Sequence, residues 1–348
     1  MSSRIIEGNY LADLLAQPDV LCGVTGKLKS TLIDTALGEG LRDGRFRQVL
    51  LTGMGSSLHA LYPLHRALNG AAITSHWIET AELLLAFEPL YSPETLLIGV
   101  SQSGESAEMV SLAKRAGEFG HFIGITNNAE STLGRTAGTT LTLEAGPEAT
   151  VSCKTYLSTL AVLHWLGDWL VRGNGETALD DLAHAGRGVR NYLVDWREHV
   201  AELLPLLDGV TSIFVTGRGD SLATAGTGGL ILKEATRQHA EGMSAPAFRH
   251  GPLEMAGDKV LVLIFEGDET TAPLHRRLAE DITRGGGKAA LIGSNATGLN
   301  VFRLPEVPAA VQPIVEILPV QMLSLAIAAR DGFEAGRFER ASKITNIA

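Results

Sequence analysis

The residues with the most chemical potential lie between Gly226 and Pro252, in GTGGLILKEATRQHAEGMSAPAFRHGP. The apolar run Ile213–Gly217 ahead of it predicts a buried strand closed by a glycine turn. The spacing after that predicts a helix from about Ser221 to about His239. On such a helix Leu230, Ile231 and Glu234 share one stripe, because residues three and four apart lie on one face. A carboxylate on the apolar side of a helix is costly to desolvate unless it has a task or a partner. Burial raises a carboxyl pKa, which suits a group that takes and returns a proton near neutral pH. An ion pair with Arg237, one turn on, accounts for Glu234 as well, and the helix alone leaves both readings open.

A second chemical stretch is Ser101-Gln102-Ser103-Gly104-Glu105-Ser106, which follows the strand-like ETLLIGV directly. Hydroxyls and free backbone N–H groups between a strand and a helix N-terminus suit an anion. Ser56 and Ser57, after the neighbouring predicted strand, are placed to close the same pocket. Ordinary N-capping by serine is the alternative. Gly53-Met-Gly55 lacks the third glycine of a dinucleotide fingerprint, and the chain has no GK[ST] P-loop. His250, before Gly251-Pro252, is either a proton-transfer group or a loop histidine. His239 and Glu241 are its neighbours in sequence, and His239 also suits a helix end. Lys154 reads as a contact near a phosphate or as the first turn of a helix. Lys343, in the closing ASKITNIA, reads by itself as a surface lysine. No paired His/Asp/Glu spacing suggests a metal, and no cofactor is expected.

The elements that must position these groups follow from the pattern. Strands are expected at Arg45–Thr52, Ile73–Trp77, Glu94–Val100, Phe122–Thr126 and Leu141–Leu143, with helices between them. That alternation predicts an α/β protein with parallel sheets covered on both faces. Residues from Gly175 to about Leu206 read as a charged helical connector. Beyond it Leu50-Leu-Thr-Gly-Met-Gly-Ser-Ser57 aligns without gaps with Phe214-Val-Thr-Gly-Arg-Gly-Asp-Ser221. Lys259–Phe265 stands where ETLLIGV stood, and Ala290–Asn295 where Phe122–Asn128 stood. The chain is therefore expected to be a tandem repeat of one doubly wound unit, residues 1–198 and 199–348. The second copy carries Glu266-Gly-Asp-Glu in place of the serine loop, so an anion is expected in the first.

Composition bounds the rest. With 348 residues, 45% hydrophobic content and 39 glycines, two globular domains rich in turns are expected. A formal net charge of −10 argues against nucleic-acid binding. The two cysteines form no framework. No signal peptide is expected from MSSRIIEGNYLADLL. The most apolar long run, Tyr156–Val171, is too short to span a bilayer, so no membrane and a cytoplasmic location are expected.

Taken together, Gly55-Ser-Ser57-Leu-His, Ser101–Ser106, Lys154-Thr-Tyr, Leu232-Lys-Glu234 and Arg249-His-Gly-Pro-Leu253 resemble the double sugar-isomerase (SIS) domain. The form most similar is the isomerase half of glucosamine-6-phosphate synthase, with its stand-alone hexosamine-6-phosphate deaminase and fructosamine-6-phosphate deglycase relatives. The resemblance implies two tandem flavodoxin-like SIS units. It implies that Ser57, Ser101, Gln102, Ser103 and Ser106 hold a sugar phosphate, with Gly55, Ser56, Ser152 and Lys154 as further substrate contacts. Glu234 would move a proton between C1 and C2 of an open-chain sugar. His250 would assist ring opening from a neighbouring subunit, which makes a homodimer the expected state. Lys343 matches a tail lysine, in a tail that departs from the synthase pattern, and the match implies an imine-forming or charge-partner role. Ile231 stands where the synthase has a second lysine on the same helix. No glutaminase domain is expected, since the chain lacks an N-terminal cysteine. The activity this implies is isomerising deamination of a hexosamine 6-phosphate. A fructosamine-6-phosphate deglycase, an aldose–ketose phosphosugar isomerase and a non-catalytic sugar-phosphate sensor are the alternatives. For any of the enzymatic readings the serine loop and Glu234 must serve one substrate; a sensor has no need of Glu234.

Overall fold

The computed structural model describes residues 5–298, 300–340 and Lys343. Its chain starts with helices α1 (Asn9–Leu15), α2 (Gln17–Lys29) and α3 (Thr35–Arg42). Next come β1 (Gln48–Gly53), α4 (Ser56–Ala60), α5 (Tyr62–Gly70), β2 (Ser75–Glu79) and α6 (Thr80–Ala86). They are followed by β3 (Thr95–Val100), α7 (Ala107–Ala113), β4 (His121–Thr126), α8 (Thr132–Thr136) and β5 (Thr139–Thr142). Three helices then run in sequence, α9 (Lys154–Arg172), α10 (Glu176–Val194) and α11 (Trp196–Leu203). The second series is β6 (Ser212–Gly217), α12 (Ser221–Thr236), β7 (His239–Ser244), α13 (Ala245–Arg249) and β8 (Val260–Phe265). It ends with α14 (Ala272–Arg284), β9 (Lys288–Gly293), β10 (Val301–Arg303) and α15 (Gln312–Asp331).

The contacts divide the chain into two compact units that interleave in sequence. The N-terminal unit holds residues 19–148 and 153–183 with Lys343; the C-terminal unit holds residues 5–18, 149–152 and 184–340. Each contains one five-stranded, all-parallel sheet. The orders are β2-β1-β3-β4-β5 and β10-β9-β8-β6-β7, which are one topology used twice. The central strands are apolar on both faces because helices cover both, as a parallel sheet requires. Thus β3 and β8 are buried at every position. In the N-terminal unit Leu50, Leu97 and Phe122 pack with Leu83, Leu112 and Leu133. In the C-terminal unit Phe214, Val262, Ile264 and Leu291 pack with Phe248 and Ile282.

Three sequence expectations need correcting. The helix carrying Glu234 stops at Thr236, not near His239, because Arg237 turns left-handed at φ 58°. His239 therefore opens β7, a strand that pairs with β6 from Ser212↔His239 onward. The longest apolar helix is α15, not the stretch around Tyr156–Val171. By length and composition a helix over Ala309–Asp331 could cross a membrane, but 89% of its apolar window is buried inside the protein. It is the core helix of its unit, apolar on every side as such helices are. Its polar residues are paired inward. Gln321 exchanges amide hydrogen bonds of 2.9 and 3.0 Å with Gln17, and both side chains are fully buried.

Candidate active site

In the N-terminal sheet the chain leaves β1 for β2 on one side and returns to β3 on the other. The strand order reverses between β1 and β3, which is where open α/β sheets leave a crevice. The two strands end level, with Gly53 opposite Val100. The loops after them, Gly53–Ser57 and Ser101–Ser106, are therefore brought side by side. A side chain at Gly53 would stand 3.0 Å from the Val100 carbonyl oxygen and 3.1 Å from the Leu58 nitrogen, so only glycine lets the turn pass. Gly55 has φ 52° and ψ −126°, a conformation suited to glycine, and it starts α4 with Ser56 and Ser57 in the first turn.

The serine loop is held by its own hydroxyls and backbone. The Ser101 N–H continues the ladder to the Ile125 carbonyl at 3.0 Å. The Gly104 N–H donates to the Ser101 carbonyl and hydroxyl oxygens at 3.1 and 3.2 Å. The Glu105 N–H donates to Ser103 Oγ at 3.1 Å. Glu105 itself faces away, accepting from Thr132 N and Oγ1 at 2.6 and 2.9 Å. Gly104 has φ 67°, and a Cβ there would lie 2.0 Å from Ser131 Oγ. Ser106 occupies the N-cap of α7 yet makes no capping hydrogen bond. The N-capping alternative thus does not account for its hydroxyl. The loop offers hydroxyls and amides, while its one carboxylate is turned onto α8.

Sequence reasoning passed over Glu148. Its side chain is fully buried and lies 2.7 Å from Lys343 Nζ. It also accepts from the N–H groups of Cys153 and Thr155 at 2.9 and 3.0 Å, and from Thr155 Oγ1 at 2.5 Å. One carboxylate so ties the tail lysine to the N-terminus of α9, where negative charge is favoured. Lys154, the first residue of α9, is buried. The only sequence signal for Glu148 is an acid in a Gly-Pro-Glu turn just ahead of an apolar helix.

The C-terminal unit carries Glu234, His250 and Ser152. Glu234 is half-buried in the last turn of α12. That helix packs tightly on β7: a Cβ at Gly229 would stand 2.4 Å from the Gly242 nitrogen. The Arg237 guanidinium, the alternative partner for Glu234, instead pairs with Glu339 and covers the Phe333 ring. Glu241 pairs with Lys233 at 3.5 Å. His250 is exposed at the end of α13, followed by Gly251 with φ 133°. Its support is rigid. Phe248 is fully buried edge-on to Phe214, and Arg249 pairs with Asp281 at 2.9 Å, which holds that carboxyl below its usual range.

The corresponding loop of the C-terminal sheet carries a charge pair instead of hydroxyls. Glu266 takes the place of Ser101, and its N–H donates to the Ile292 carbonyl at 2.9 Å as Ser101 does to Ile125. Its buried carboxylate is met by Arg276 Nε at 2.6 Å. His275 is fully buried with Nδ1 2.8 Å from the Glu266 carbonyl, and burial lowers its pKa. Among the described residues no cluster of three or more His, Cys, Asp or Glu could hold a metal.

The chain belongs to the SIS domain family, which matches residues 45–167 and 206–330. It is 30% identical over 322 residues to the glutamine–fructose-6-phosphate aminotransferase (isomerizing) of Pyrococcus horikoshii, covering 87% of this chain and 52% of that protein. The chain thus spans about half the length of the curated relatives it matches. In structure it resembles the C-terminal domain of glucosamine-fructose-6-phosphate aminotransferase from Francisella tularensis, with a TM-score of 0.83, 20% identity, and 95% and 98% of the two chains covered. It also resembles a glucosamine-6-phosphate deaminase from Thermotoga maritima, with a TM-score of 0.75, 17% identity, and 98% and 100% covered. At these identities the structural likeness shows the tandem SIS fold.

Proposed function

We propose that the protein is an isomerising deaminase of a hexosamine 6-phosphate, converting glucosamine 6-phosphate to fructose 6-phosphate and ammonia. The observation that supports this is the pairing of β1 and β3 with level ends, which sets the Gly53–Ser57 turn beside the serine loop; there Ser57, Ser101, Gln102, Ser103 and Ser106 would offer neutral donors to a phosphate. Membership of the SIS family and the names of the relatives support a sugar-phosphate substrate.

In this reading Ser56, Gly55, Ser152 and Lys154 complete the substrate contacts. His250, supplied by a neighbouring subunit of a homodimer, transfers the proton that opens the pyranose ring. Glu234 takes the proton from C2 of the open-chain aldehyde and returns it to C1. The aldehyde carbon becomes CH2OH and the amine-bearing carbon becomes an imine. Water adds to the imine carbon, and ammonia leaves as the ketose carbonyl forms. Lys343, held against Glu148, acts as a charge partner rather than through an imine with the substrate.

The test is ammonia release from glucosamine 6-phosphate. Glu234→Gln should lower kcat by roughly 10²–10⁴-fold while KM stays within a few-fold, because the amide keeps the shape and loses the base. Absence of turnover on every amino-sugar, fructosamine and neutral aldose or ketose phosphate would end the enzymatic reading and leave the sensor.

A further inference from the structure

The C-terminal unit has a second cleft whose chemistry the proposed reaction does not use. It has a volume of about 540 Å³, within the range that holds small molecules, and lies between the second half of α10, the start of α11 and the chain leaving β10. None of the residues assigned above to phosphate binding or proton transfer lines it. On one wall Arg187 and Asn191 share a face of α10, and Asp195 follows at the same spacing. Arg303 ends β10 opposite, with Glu306 three residues on. The floor is packed: a Cβ at Gly188 would stand 3.1 Å from Pro305 Cβ. The Tyr192 and His199 rings stack at 3.9 Å and 16°, with Tyr192 buried and the half-buried His199 ring carried on it at the cleft.

The charges are the informative feature. Two guanidinium groups and two carboxylates line one cleft, yet Arg187, Arg303, Asp195 and Glu306 make no ion pair with any described residue. Opposite charges that share a concave surface without neutralising each other leave both signs available to a ligand. Charge-assisted hydrogen bonds to both ends of a zwitterion would use all four.

We propose that this cleft is a second binding site for a small zwitterion, an amino-sugar phosphate, with the phosphate on Arg187 and Arg303 and the ammonium on Asp195 and Glu306. The sugar ring lies against the His199 imidazole, which the Tyr192 ring backs. The choice of an amino-sugar phosphate among zwitterions rests on the proposed function; the demand for both charges rests on the cleft alone.

The experiment uses Glu234→Gln protein, so that ligand is not turned over, and titrates it with glucosamine 6-phosphate by calorimetry. Two equivalents per chain are expected. Replacing both exposed arginines, Arg187→Gln with Arg303→Gln, should leave one. Glucose 6-phosphate lacks the amine and glucosamine lacks the phosphate; each should occupy the cleft at least about tenfold more weakly. The His199 imidazole NMR signals should move with glucosamine 6-phosphate in the parent protein and stay still in the double variant. Two equivalents retained in the double variant, or a single equivalent in the parent that the double variant keeps, overturns the proposal. A single equivalent in the parent that the double variant loses would instead count against the proposed active site and leave the cleft standing.

Discussion

Glu148 organises the start of α9 through one carboxylate. Its four partners are two backbone N–H groups, a threonine hydroxyl and the Lys343 ammonium, all satisfied in a fully buried position. Deleting a buried acceptor costs the desolvation of every donor it leaves behind. Glu148→Ala should therefore destabilise the protein by about 3 kcal/mol, in the range for breaking buried pairs. Glu148→Gln should cost less, since the amide oxygen still accepts from Cys153 and Thr155. Denaturant midpoints of the two variants measure this, and equal midpoints would show that Glu148 does not organise the turn. None of these contacts is visible in the sequence. The partners sit five, seven and 195 residues away, and only the fold brings them to one carboxylate.

At the scale of elements, the serine loop depends on Gly104. Its φ of 67° and the 2.0 Å approach to Ser131 Oγ leave no room for a methyl group. Gly104→Ala should strain the loop by about 1–3 kcal/mol and raise KM for a phosphosugar far more than it lowers kcat. Helices α12 and α15 meet through a different device. Glu316 on α15 is completely buried, and its carboxyl oxygens accept from Ser221 Oγ at 2.8 Å, Thr224 Oγ1 at 3.3 Å and Gln312 Nε2 at 3.1 Å. Burial raises its pKa to about 7 against those hydrogen bonds. The folded state then holds this proton at pH values where the unfolded chain has released it. The associated stability is present below the ordinary glutamate range and is lost as pH rises through about 7. The total is roughly 3 kcal/mol between those limits. Glu316→Gln should flatten the stability profile between pH 5 and 8, read from denaturant midpoints; an unchanged slope would show that another group carries it. The central elements were legible because apolar runs such as Thr95–Val100 and Val260–Phe265 admit one interpretation. The edge strands of the C-terminal sheet were not. β7 reads HAEGMS, with one fully buried residue, and β10 is three residues long, so neither offers an apolar period. The end of α12 was misjudged because nothing in Thr236-Arg237-Gln238 marks a left-handed turn; Arg237 takes a conformation in which glycine is the usual residue.

For the whole molecule the open question is who supplies His250. It stands exposed on a braced corner of α13, and no other proton-transfer role in the proposed reaction is left for a histidine. If subunits of a homodimer exchange this residue, two inactive variants should repair each other. Ser103→Ala weakens the phosphate cradle and His250→Ala removes the ring-opening group. Mixed and allowed to exchange, about half of the dimers become hybrids by chance. In each hybrid one site combines an intact cradle with the other subunit's intact His250, while its second site has neither. Activity on glucosamine 6-phosphate should recover to about a quarter of the wild-type value, the statistical limit for a two-fold assembly. A histidine acting within its own chain gives no recovery, since no hybrid site is then complete. Light scattering on the same mixture separates the cases: recovery requires dimers, and dimers without recovery assign His250 to its own subunit. An open-chain analogue of the substrate sharpens the result, because it bypasses ring opening. His250→Ala should process it at a rate near wild type while Ser103→Ala stays impaired. Equal impairment of both variants on the analogue would place His250 in a step other than ring opening.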